Sequence, residues 1–289
     1  QASGDSLFLC RMDLLFRDYI VPNIESEKII IKPNDSVIIK LYFIYLILAF
    51  YTLFNLLLLK CKKIDKAHYF VDINNSKNYY DFRSKEILEV VPPESSANFM
   101  HISNVKYSLK TLHRKSNAIY FEAIYFVLKP FLKSKRFKYI ESGNKFSNEV
   151  LEVHQQYYND SYYIHKVVKW VLKFLNIKTF ISLDDSRYSN EIIVASSDLN
   201  IRKIGYMHGR FNEYHLGIFE FPFDKYLVWS SYFKNKLLDI SSRYKKEDIE
   251  VVGHFRIKEK LKDVQEKRNI LWLGESNIEY KEITPFIDE

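Results

Sequence analysis

Four short polar runs in this 289-residue chain each follow a run of apolar or aromatic residues. They are Glu141-Ser142-Gly143 after KYI, Asp184-Asp185-Ser186-Arg187 after FISL, His208-Gly209-Arg210 after IGYM, and Gly253-His254-Phe255-Arg256 after EVV. In open α/β sheets ligands bind beyond the carboxyl ends of the strands, so these are the positions at which chemistry is sought. A desolvated carboxylate at such a rim has a raised pKa and can act as base or nucleophile, which makes Asp184 and Asp185 candidates. Neighbouring residues of an extended chain point in opposite directions, so one working carboxylate is expected rather than a dyad; the structural alternative is an Asp capping a helix that opens near Ser189. A histidine side chain, with an unperturbed pKa of about 6.5, can donate to a phosphate or act as an acid at neutral pH, which makes His208 a candidate; Gly209 permits close backbone approach, and Arg210 carries a fixed charge that matches a phosphate or carboxylate. Glu141, before Ser-Gly, is a candidate of the same kind or else a turn residue. His254 and Arg256 would face an interdomain cleft or close a domain turn, and His215 follows the His-Gly loop. His68, His101, His113, His154 and His165 have no partner at useful spacing and read as structural.

The elements that must position these residues follow from the alternation of short apolar runs with longer amphipathic stretches, the pattern of a βαβ chain. Strands are expected at His68–Ile73, Ile87–Val91, Asn98–Ile102, Tyr139–Glu141, Thr179–Leu183, Lys203–Met207, Tyr226–Trp229 and Glu250–Val252. Helices are expected at Ala118–Lys133, Glu149–Leu175, Asn190–Asp198 and Ser231–Ile240, the first kinked or ended early by Pro130. The fold class is therefore α/β, a Rossmann-like parallel sheet flanked by helices. Residues 1–66 form an N-terminal segment with an apolar helix at 41–59, residues 67–265 the Rossmann-like domain, and residues 266–289 the start of a second, incomplete one.

Leu41 to Leu59 carries no charge and is flanked by Lys40 and by Lys60, Lys62, Lys63 and Lys66. About 19 apolar residues is the threshold for crossing a bilayer, and the lysines would keep the C-terminal flank on the cytoplasmic side. The same run suits a helix buried between other elements. Gln1 to Ser6 lacks the basic-then-apolar order of a signal peptide.

Hydrophobic residues make up 47% and charged residues 27%, which sets disorder aside. The net charge of +7 suits nucleic acid, an anionic membrane or a phosphorylated substrate equally. No RNA- or DNA-binding motif accompanies it, and the aromatics of the helix before Leu175 are spaced for packing, so nucleic acid is not expected as a partner. Cys10 and Cys61 form no CxxC pair or Cys/His cluster, so no metal site is expected and a reducing cytoplasm fits. No Walker-type or GxGxxG pattern occurs, and no cofactor is implied.

The succession IGYMHGRFNEYHLG, FPFDKYLVWSSYFKNKLL and IEVVGHFR resembles a recurring pattern in bacterial capsule and lipopolysaccharide glycosyltransferases of the GT-B type. The likeness covers Arg202 to Arg256, less than a quarter of the chain, and departs from the pattern at Met207, where relatives commonly have Gln. It implies a nucleotide-activated sugar donor held mainly by a C-terminal Rossmann domain. A glycan or lipid-linked acceptor would lie on the N-terminal side, here the Rossmann-like domain, with no bound metal. His208 and Gly209 would line the cleft, His254 would sit at the hinge, and Asp184 or Glu141 would be the catalytic carboxylate. A similarity to transferases of the acidic sugar Kdo would give Arg187 and Arg210 its carboxylate to bind. Two other functions fit the same residues: a phosphotransferase acting on a CDP-linked alcohol, and a noncatalytic assembly protein at the cytoplasmic face of the inner membrane.

Overall fold

The computed structural model describes residues 7, 10, 35–61, 68–73, 91, 96–102, 118–135, 145–183, 189–207, 220 and 222–253. The chain divides into two units, Gln1–Phe255 and Arg256–Glu289, and every described residue belongs to the first. Among the described residues, seven parallel strands form its sheet: β1 His68–Ile73, β2 Ser96–His101, β3 Ala118–Ile119, β4 Thr179–Leu183, β5 Arg202–Tyr206, β6 Lys225–Val228 and β7 Ile249–Val251. Their spatial order is β3-β2-β1-β4-β5-β6-β7, the order of doubly wound α/β sheets, in which the direction of winding reverses between β1 and β4.

The α-helices whose bounds the described residues give are α1 Asp35–Cys61, α2 Phe121–Leu128, α3 Lys145–Leu175, α4 Ser189–Asp198 and α5 Ser231–Ile240. On α3, Ile164, Val168, Val171, Leu172 and Leu175 recur at helical spacing and are buried, so one stripe of a long amphipathic helix enters the core. Phe99 of β2 meets Phe121 of α2 edge to face, with ring centroids 5.6 Å apart. Pro130 does end its helix: α2 stops at Leu128, a 3-10 turn covers Lys129–Phe131, and Leu132 is extended.

Two identical turns feed the central strands. Asn176 (φ 57°) closes α3 and Asn200 (φ 54°) closes α4, both in the left-handed region that Asn tolerates. Ile177 N donates to Leu172 O at 3.1 Å and Asn176 N to Lys173 O at 3.2 Å; Ile201 N donates to Ser196 O at 2.9 Å and Asn200 N to Ser197 O at 3.2 Å. Each is a Schellman closure with a buried Ile as its apolar contact. β4 and β5 start side by side, with Thr179, three residues past Asn176, opposite Arg202, two residues past Asn200. The next pairing is fixed by Asp224, whose carboxylate accepts from Lys203 N at 2.7 Å and pairs with Lys203 Nζ at 3.0 Å.

Helix α1 is apolar all round yet packs on one side only. Leu48, Ala49, Leu56 and Leu59 are buried. Two polar residues fix it to the start of the β3–α2 segment: Asn55 Nδ2 donates to Ala118 O at 2.9 Å, and Thr52 Oγ1 accepts from Tyr120 N at 3.0 Å. The expected helix from Ala118 is corrected at its first residues. Ala118 and Ile119 pair with Asn98 and Phe99 as an edge strand, and the helix begins at Phe121.

Candidate functional site

The carboxyl ends of β4 to β7 form one edge. Leu183 lies opposite Tyr206, Tyr206 opposite Leu227, and Leu227 opposite Glu250, so these backbone positions make a single row across four strands. At about 4.8 Å between neighbours, β4 and β5 end roughly 5 Å apart and β4 and β7 roughly 14 Å apart. The row is carried one step further by Met207 N, which donates to Leu227 O at 2.9 Å, and by Val252 N, which donates to Val228 O at 3.0 Å. Trp229 Nε1 donates to Tyr206 OH at 3.0 Å and ties the ends of β5 and β6 together. Gly205 lets β5 sit close to its neighbours, since a Cβ there would lie 2.6 Å from the rings of Phe223 and Tyr226. Gly253 leaves β7 at φ +77°, a conformation that favours glycine.

Glu141, Asp184, Asp185, Arg187, His208, Gly209, Arg210, His215, His254 and Arg256 all lie outside the described residues. The described strands do fix the points from which three of these runs depart. Asp184 follows the last residue of β4, next to the reversal of winding at β1. His208 follows Met207, and His254 follows Gly253. The expected strands Tyr139–Glu141 and Ile87–Val91 lie outside the described residues too, apart from Val91, which is in a bend.

One polar cluster escaped the sequence reading. His165 Nε2 lies 3.0 Å from Asp198 Oδ2, and Lys169 Nζ is 2.7 Å from the same oxygen. His165 is 4% exposed. Burial pushes its pKa below the ordinary imidazole value, against the opposing pull of Asp198. Burial would raise Asp198, but the hydrogen bond and charge of Lys169, with His165, hold it below the usual carboxylate range. An ionised Asp198 accepting from Nε2–H leaves His165 neutral with its proton on that nitrogen. Asp198 ends α4 just before the turn into β5, so it belongs to the amino-terminal side of the sheet, away from the strand ends that would hold a ligand. The cluster joins α3 to α4. Its partners are 33 residues apart and on different helices, a separation that no local spacing rule detects. Among the described residues, no group of three or more His, Cys, Asp or Glu could hold a metal ion.

Fold and edge together define a doubly wound α/β protein with a parallel sheet. Compared with family models, curated proteins and solved structures, the chain matches none.

Proposed function

We propose that this chain is a glycosyltransferase of GT-B type that moves a sugar from a nucleotide-activated donor to a glycan or glycolipid acceptor in bacterial surface-polysaccharide synthesis. The observation that carries the proposal is the shared row of β4, β5 and β7 ends, from which the runs containing Asp184, His208-Gly209-Arg210 and His254 depart. Ligands of doubly wound sheets bind at this edge, beside the reversal of winding.

In the proposed reaction an acceptor hydroxyl oxygen bonds to the anomeric carbon as the bond from that carbon to the donor phosphate breaks. Asp184, or Glu141 in its place, takes the hydroxyl proton in an inverting course; in a retaining course it attacks the anomeric carbon first. His208 and Arg210 offset the charge that builds on the departing phosphate. His208→Ala would therefore abolish sugar transfer and nucleotide release while the urea midpoint stays unchanged. Full transfer in that variant would remove His208 from the site.

A second reading, a noncatalytic membrane-associated assembly protein, is favoured by the exposed apolar face of α1. It predicts membrane binding with no nucleotide binding at all.

A further inference from the structure

The inner side of α1 is accounted for by the core; the outer side is not. Phe43, Ile47, Phe50, Phe54 and Leu57 recur at helical spacing on the face opposite Leu48, Thr52 and Leu59, and all five are exposed, Phe50 at 66% and Phe43 at 65%. Beside this face, a groove of about 450 Å³ runs between α1, α2 and α3, lined by Leu53, Val127, Leu128, Leu132, Val167 and Trp170. Phe131, next in sequence to Leu132, is 79% exposed. A continuous apolar surface of this kind marks a binding face.

Its composition selects the occupant. Segments 35–61, 121–135 and 160–183, which build the surface, contain nine lysines and three acids, Asp35, Glu122 and Asp160; Glu122 is buried, and Asp160 is paired with Lys129 at 3.0 Å. Lys60, Lys133, Lys135, Lys166 and Lys173 in the same segments are exposed. A second copy of the chain would bring two positive rims together, whereas an anionic lipid surface offers acyl chains to the face and phosphates to the rim.

The hydrogen bonds of α1 decide how it meets a bilayer. Besides Thr52 and Asn55, Lys60 Nζ donates to Phe174 O at 2.8 Å and Tyr42 OH to Val127 O at 3.4 Å, so the helix is held along its length against α2 and α3. Standing across a bilayer would break these bonds and place the Thr52 and Asn55 side chains in hydrocarbon. We infer that the outer face of α1 and the adjoining groove bind one leaflet of an anionic phospholipid bilayer, with α1 lying in the membrane plane and an acyl chain entering the groove beside Trp170. The inference stands apart from the transfer reaction and holds for a catalytic or a noncatalytic chain.

The test is flotation of the whole chain with phosphatidylcholine vesicles, with and without phosphatidylglycerol. Binding to the anionic vesicles is expected, and Phe50→Glu/Phe54→Glu should bind at least about tenfold more weakly. Both positions are exposed, and an unchanged urea midpoint verifies the fold of that variant. Lys133→Glu/Lys135→Glu, which leaves the apolar face intact, should weaken binding in a salt-dependent way. Phospholipid brominated along its acyl chain should quench part of the tryptophan emission, and the quenched part should vanish in Trp170→Phe. The inference is overturned by absence of binding to anionic vesicles or by equal binding of the Phe50→Glu/Phe54→Glu chain. A lipid-free dimer that the same substitutions split into monomers also overturns it, because a second copy then covers the face.

Discussion

Replacing Thr52 by Val removes one oxygen from the middle of α1 and keeps the branched shape of the side chain. That oxygen accepts the hydrogen bond of Tyr120 N at 3.0 Å, and Thr52 and Tyr120 are both 0% exposed. No water reaches the amide, so the variant leaves a buried donor without the oxygen it bonds. The cost of stranding such a group is about 1–3 kcal/mol. Thr52→Ser is the control: it keeps the oxygen and loses one methyl group, for about 1 kcal/mol. Urea unfolding followed by circular dichroism compares the two, and the midpoint should fall further for Val than for Ser with the slope unchanged. A Val variant within a few tenths of a kcal/mol of the parent, or no worse than Ser, would refute the docking of α1 onto the β3–α2 segment. The in-plane orientation inferred for the helix would fall with it, since a helix detached from the sheet is free to cross a bilayer.

Gly205→Ala forces a methyl group to within 2.6 Å of the Phe223 and Tyr226 rings, so it should destabilise by about 1–3 kcal/mol through overpacking, read as a lower urea midpoint. The buried His165 gives a pH dependence with a definite sign. Its folded pKa lies below the unfolded value of about 6.5, so the unfolded chain binds more protons between the two. Stability is therefore full above that pH and falls as the pH drops from there toward the folded value. Asp198, depressed in the folded state, adds stability that is lost only at lower pH, as the pH falls through its own folded value. Urea midpoints between neutral and mildly acidic pH should fall less steeply for His165→Gln than for the parent; equal slopes would show that His165 is not responsible.

Strands bounded by clear punctuation were legible in the sequence. His68–Ile73 and Thr179–Leu183 occur as read, and β5, β6 and β7 each begin and end one residue earlier than expected. The two-residue strand β3 was not legible, because its pairing depends on β2 and not on any local pattern. Helix α3 opens four residues before the expected Glu149; Ser147 and Asn148 suit a cap, but here they lie inside the helix. The dual character of α1 explains why composition could not choose between a core helix and a membrane helix. Its residues are apolar on both sides, and only packing tells the buried side from the exposed one. Of the candidate site, the strand ends were legible and are in register; the side chains beyond them lie outside the described residues. The His165–Asp198–Lys169 cluster was invisible in sequence because tertiary packing alone brings α3 against α4.

Thermal stability of the whole chain measured against a panel of nucleotides and nucleotide sugars, CMP and CDP forms included, tests the proposed transfer reaction most directly. A ligand that binds the native state alone raises the melting temperature as its concentration rises. Such a rise is expected for one nucleotide class, with its loss in Arg210→Ala. No rise with any nucleotide would contradict the proposed reaction.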